Sequence, residues 1–163
     1  MADNGKRFEQ DFEKSCSSFE LISIDRFYDV MNGFKSINTI SDFVVYKLPY
    51  LYYFELKSYK GKKLYWSSIR DNQWNGLMEK SKIEGVHAGI LIQFYEHDKH
   101  FFVAIEQCQQ LKDSGEKGIS LDWCEEHAIE LVGTKKRTRF SYDDVYKFLS
   151  DIARDGKWKT SKE

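Results

Sequence analysis

The stretch SDFVVYKLPYLYYFELKS, residues 41–58, reads as two strands joined by a tight turn, and the register between them decides the fold. Both runs are rich in β-branched and aromatic residues, and Pro49, the only proline of the chain, falls in the turn, where it costs no ladder hydrogen bond. Strand side chains alternate between faces, so Glu55 and Lys57 share one face while Phe54, Leu56 and Ser58 take the other. A turn symmetric about the Leu48–Pro49 bond places Asp42 opposite Glu55, with their Cβ atoms about 5 Å apart. Two carboxylates that close repel unless a cation lies between them. Two hard oxygen donors, with waters and a backbone carbonyl such as that of Leu56, suit Mg²⁺. A neighbouring Lys57 ammonium would steady a nucleophile or the charge developing on phosphorus, so the arrangement suits phosphodiester hydrolysis. The tripeptide Glu-x-Lys is also satisfied by an ordinary same-face ion pair at a sheet edge, with Asp42 a solvated residue at a strand start. The residues of this stretch leave both readings open.

Upstream, NGKRFEQDFEKSCSSF carries Phe8, Phe12 and Cys16 at helical spacing behind Asp3 or Asn4 as cap, which predicts a helix over residues 4–18. LISIDRFYD alternates like a short strand, and VMNGFKSINTI is a connection containing Asn32-Gly33. Downstream, SSIRDNQWNGLMEKSKIEG has the start signals, apolar spacing and closing glycine of a helix. VHAGILIQFYE and HFFVAIE follow as strands, QCQQLKDSG as a candidate helix, and SYDDVYKFLSDIARDG as a capped helix; ISLDWCEEHAIELV is ambiguous. This order describes an α/β domain, one mixed β-sheet flanked by helices.

At 163 residues the chain fits one domain, expected over residues 1–153, with residues 154–163 as a basic tail. Hydrophobic residues at 41% and aromatics at 16% exclude a disordered or fibrous chain. Three cysteines, Cys16, Cys108 and Cys124, make neither a CxxC pair nor an even disulfide framework and point to a reducing cytoplasm. The charged start MADNGKRFEQDFEK does not read as a signal peptide, and no apolar run approaches membrane-spanning length. His97, His100, Cys108, Cys124 and His127 lack the two-plus-two spacing of a zinc finger and are read as surface histidines and buried thiols. Trp66 and Trp74 are read as core residues, and Trp158 as a candidate contact in the tail.

A formal net charge of −1 predicts neither nucleic acid nor membrane, but its distribution is uneven. Lys57, Lys60, Lys62 and Lys63 form one basic cluster, Lys135, Lys136, Arg137 and Arg139 a second, and Arg154 to Lys162 a third. Each alone is an ordinary solvated face; three beside an acidic site point to a polyanion.

The order of these features resembles the PD-(D/E)XK nuclease superfamily, an Asp followed one strand later by Glu-x-Lys. GKRFEQDF is similar to the Gly-Lys/Arg-x-Phe-Glu opening of its Holliday junction resolvases, and the separation of Asp42 from Glu55 and Lys57 is that of the archaeal-type and RecU-type enzymes. DNQWNGL is similar to the following helix that carries a functional Gln. The resemblance covers residues 5 to about 105. It implies a restriction-endonuclease-like core and a homodimer that makes paired nicks in four-way DNA junctions with Mg²⁺ or Mn²⁺. By the same resemblance Asp42, Glu55 and Glu9 hold the metal, with the Leu56 backbone carbonyl; Lys57 positions the water or stabilises the transition state, and Gln73 orients the site. Ser41 would contact the nucleic-acid backbone, together with Lys6 and the basic residues Lys60, Lys62, Lys63, Lys135, Lys136, Arg137 and Arg139. RecU-type enzymes carry a long insertion before the metal-binding Asp, which this chain lacks, so the nuclease core is better supported than junction specificity. A nuclease cutting linear duplex, or a catalytically silent DNA-binding module of the same fold, stands as the alternative. The compact size suits a phage-encoded protein in a host cytoplasm.

Overall fold

In the computed structural model, residues 3–28 and 39–155 are described in full and residues 30–32 and 35–37 as backbone. The expected tail beyond Asp155, with Trp158, and the turn at Gly33 lie outside the described residues.

Helix α1 (Asn4–Ser17) starts where Asp3 Oδ1 accepts the Lys6 amide at 3.0 Å, and its Phe8, Phe12 and Cys16 face is buried. Strand β1 (Ser23–Arg26) follows, then a hairpin of β2 (Val30–Asn32) and β3 (Lys35–Ile37). The decisive stretch forms β4 (Phe43–Lys47) and β5 (Tyr50–Tyr59), antiparallel and joined at Leu48-Pro49. Next come β6 (Lys63–Tyr65), a short 3₁₀ turn (Trp66–Ser68) and α2 (Asp71–Ser81). Strands β7 (Val86–Phe94) and β8 (Lys99–Ala104) lead to α3 (Ile105–Asp113). The ambiguous segment resolves into β9 (Gly118–Ser120), α4 (Leu121–His127) and β10 (Ile129–Glu130). A second hairpin, β11 (Thr134–Lys136) and β12 (Arg139–Ser141), precedes α5 (Val145–Arg154).

The main sheet has the order β1-β4-β5-β7-β8-β10 and is mixed as expected. Its parallel pair is β5–β7, because α2 crosses over between them. Each face has its own core. On one, α1 and α5 bring Phe8, Phe12 and Leu149 against Phe43, Tyr52, Phe54 and Leu56. On the other, α2, α3 and α4 bring Trp74, Leu77, Cys108 and Cys124 against Ile90, Ile92 and Val103. Strand β7, covered on both sides, is buried along its whole length and reads as an apolar run broken by His87 and Gln93.

Two expectations need correction. The helix over SSIRDNQWNGLMEKSKIEG is shorter at its start, because Ser67 and Ser68 belong to the 3₁₀ turn and Arg70 is still extended. The hairpins β2–β3 and β11–β12 escape the sequence reading, since strands of three residues are too short to display an alternation.

Candidate active site

The β4–β5 ladder runs from Lys47 opposite Tyr50 to Phe43 opposite Phe54, and Asp42, the residue just before β4, comes beside Glu55. The Asp42 amide donates to the Phe54 carbonyl at 3.1 Å, and the Leu56 amide donates to Asp42 Oδ2 at 2.8 Å. The carboxylate is thereby locked to the neighbouring strand. Lys57 Nζ lies 3.1 Å from Glu55 Oε2 on the same face. Glu55 Oε1 is buried without a hydrogen-bond partner.

Burial, and secondly the facing Asp42, push the Glu55 carboxyl up to about 7, with Lys57 and Gln73 opposing the shift. Burial also raises Asp42, offset in part by the Leu56 amide and Lys57. Two carboxyls whose ionised forms are both disfavoured, one with an unspent buried oxygen, fit a hard divalent cation. Asp42 and Glu55 supply the donors.

Gln73 is buried at 3% exposure, not a surface residue of the helix. Its Oε1 accepts the Arg70 amide at 3.1 Å, capping α2, and its side chain also favours ionised Glu55. Glu9 reaches the site from α1, where burial, then Asp42, raises its carboxyl. It is held by Arg26, whose Nη2 donates to Glu9 Oε1 at 2.9 Å. Glu9 thus pairs with Arg26 near Asp42, and among the described residues no cluster of three or more His, Cys, Asp or Glu side chains is arranged to hold a metal.

An open pocket of about 460 Å³ faces these groups, lined by Asp42, Glu55, Lys57 and Gln73 together with Arg26, Phe27, Tyr28, Thr39, Ser68 and Arg70. The last six were not singled out from the sequence. A charge closing a short strand looks solvated; only its pairing opposite Phe43 reveals Arg26 as a wall of the site.

Ser41 requires a correction. It is fully buried and its hydroxyl donates to the Phe43 carbonyl at 3.2 Å, so it does not face a ligand. Alternation explains this, since the neighbour of an outward Asp42 points into the opposite layer. Lys60 and Lys62, on the β5–β6 connection, and Lys6, Lys136 and Arg137 are exposed, the last at the β11–β12 turn with φ 60°. The others carry acidic partners: Lys63 with Glu116 at 3.7 Å, Lys135 with Asp98 at 3.0 Å, and Arg139 with the buried Asp11 at 2.6 Å. Leu56 spends its amide on Asp42. Cys108 and Cys124 are buried thiols, and His100, read as a surface histidine, is instead buried.

Three comparisons bear on this site. The solved structure of Hjc, a Holliday junction resolvase from Archaeoglobus fulgidus, matches with a TM-score of 0.55 at 18% identity, over 77% of this chain and 95% of that one, a likeness of fold. The SPbeta prophage-derived uncharacterized protein YotM of Bacillus subtilis strain 168 is 31% identical over 160 residues, covering 85% of this chain and 81% of that protein. The model of the RecU family, recombination protein U, matches residues 5–147. With that match spanning α1, the Asp42–Glu55 pair and the start of α5, the chain belongs to the RecU family of Holliday junction resolvases.

Proposed function

We propose that the protein is a divalent-metal-dependent endonuclease that resolves four-way DNA junctions by paired nicks, with the nuclease domain spanning residues 1–153. The observation that carries this reading is the β4–β5 register, which gathers Asp42, Glu55 and Lys57 on one face and leaves a buried Glu55 oxygen unpaired. Asp42, Glu55 and the Leu56 carbonyl would hold a Mg²⁺ or Mn²⁺ ion, which would supply Lewis acidity toward the scissile phosphate. Lys57, still 21% exposed beside Glu55, presents its ammonium to the attacking water or to the charge growing on phosphorus. Gln73 fixes the Glu55 carboxylate while capping α2, so the helix start and the site are set together. Arg26 holds Glu9 and keeps a positive charge at the pocket wall. Lys6, Lys60, Lys62, Lys136 and Arg137 offer phosphate contacts.

A junction has approximate two-fold symmetry and needs two cuts, so the acting form is a homodimer. The prophage-derived relative fits a phage-encoded protein working in a host cytoplasm. The test incubates purified protein with a labelled four-way junction and, separately, with linear duplex of the same arms, each with Mg²⁺ and with EDTA. Paired symmetric nicks confined to the junction and abolished by EDTA are expected. Equal cleavage of linear duplex would reduce the reading to a general nuclease. Tight binding without cleavage in Mg²⁺ would overturn it in favour of a silent DNA-binding module.

A further inference from the structure

Part of the pocket lining is aromatic. Tyr28 is 67% exposed and Phe27 is 38% exposed, although each is a large ring that burial would favour. Neither is loosely placed. The Phe27 amide donates to the Asp42 carbonyl at 2.7 Å, so this wall is tied to the residue that carries the first carboxylate. The Arg26 guanidinium lies 5.0 Å from the Tyr28 ring centroid and is itself anchored by Glu9. A cation fixed against an aromatic ring beside a site for phosphate makes a platform on which a flat, uncharged group can complete a stack. In duplex DNA every base is already stacked and paired. At a strand-exchange point the bases flanking the crossing phosphates lose part of that stacking and can be taken up at low cost.

We propose that Tyr28, backed by Phe27 and Arg26, stacks on a nucleobase freed at the exchange point and so sets the adjoining phosphate over Asp42, Glu55 and Lys57. This rests on the nuclease reading and adds the residue that distinguishes a branched from a continuous substrate. The ring, not the hydroxyl, does the work. Tyr28→Phe therefore preserves the effect, and Tyr28→Ala removes it.

The test compares wild type, Tyr28→Phe and Tyr28→Ala on a four-way junction bearing 2-aminopurine next to the cut, with thermal unfolding of all three as the control for folding. Base–aromatic stacking predicts that Tyr28→Ala lowers junction kcat/KM by about fivefold or more. Tyr28→Phe should stay near wild type. Binding by wild type should quench or shift the 2-aminopurine fluorescence, and Tyr28→Ala should lose that signal with an unchanged unfolding midpoint. If wild type cuts the junction and Tyr28→Ala cuts it equally well, the inference falls and the nuclease reading stands. If wild type leaves every junction uncut, the nuclease reading falls and takes the inference with it.

Discussion

Glu55 concentrates the conflict between folding and function. Its folded-state carboxyl titrates at about 7 against an ordinary 4.5, so the folded protein holds this proton more tightly than the unfolded chain does. That advantage is present below about pH 4.5 and is lost as pH rises through 7, leaving the metal-free fold burdened by two facing charges. Glu55→Gln should therefore stabilise the metal-free protein at pH 8 by on the order of 1–2 kcal/mol while abolishing cleavage. Denaturant titration of both proteins with EDTA checks the first effect. Added Mg²⁺ should raise the unfolding midpoint of wild type and leave the variant nearly unmoved, because only a ligand held by the native state shifts stability. The pair itself is legible in the sequence, because strand alternation and a tight turn suffice to put Asp42 opposite Glu55. Arg26 and Tyr28 are not, since their role depends on which strand β1 pairs with. Ser41 shows the opposite error: adjacency to Asp42 in the chain suggests a shared role, yet the same alternation sends it inward.

Among elements, α2 does more than cover the sheet. Asn72 Nδ2 donates to the Thr39 carbonyl at 3.2 Å, and a methyl added at Gly76 would overlap the Ile40 side chain. The helix thus presses on the segment that enters Asp42. Gly76→Ala should displace Ile40, costing about 1–3 kcal/mol of stability through overpacking and shifting Asp42 enough to lower cleavage more than junction binding. Parallel unfolding, binding and cleavage measurements separate these effects. The β11–β12 hairpin is fastened to α1 by Asp11, which accepts from Arg139 and from the Phe140 amide at 2.9 Å. Arg139 and Lys60 therefore differ, although a basic-cluster reading of the sequence treats them alike. Arg139→Ala should lower thermal stability with little change in the salt dependence of DNA binding. Lys60→Ala with Lys62→Ala should spare stability and reduce the slope of log affinity against log salt by roughly one for each phosphate no longer neutralised. The main elements are legible because their periodicity is long enough to register, whereas the hairpin's strands and its partner in α1 are joined only in three dimensions.

The whole molecule carries an acid sensitivity in the layer between α1 and the sheet. His100 is 1% exposed, its Nε2 lies 2.9 Å from Gln93 Nε2, and Phe140 meets its ring edge-to-face at 4.5 Å. Burial holds the imidazole down to about 4 from its usual 6.5, against the opposing pull of Asp98 and Asp11. The unfolded chain takes up this proton first as pH falls. Stability is thus intact above about 6.5 and erodes toward pH 4, by about 3 kcal/mol in full. Urea unfolding from pH 7 to pH 4 should show it, and His100→Asn should flatten the slope in that window by close to one proton. The mixed sheet between two helical layers was readable from the order of elements; a histidine enclosed by Phe8 of α1, Gln93 of β7 and the rings of Phe140 and Tyr142 was not, because its surroundings come from three distant parts of the chain.

The two-residue connection Leu48-Pro49 also limits how this protein can vary. One extra residue there would barely alter composition, length or core volume, yet a one-step slip reverses every side chain of a strand. Glu55 and Lys57 would enter the apolar layer beneath α1, and Phe54 and Leu56 would take their places in the pocket. Insertions should be tolerated at residues 60–62, where the chain leaves the ladder, and purged at residues 48–49. In a library of single-residue insertions selected for cleavage, the shortest connection on the sheet should be as empty as the strands it joins.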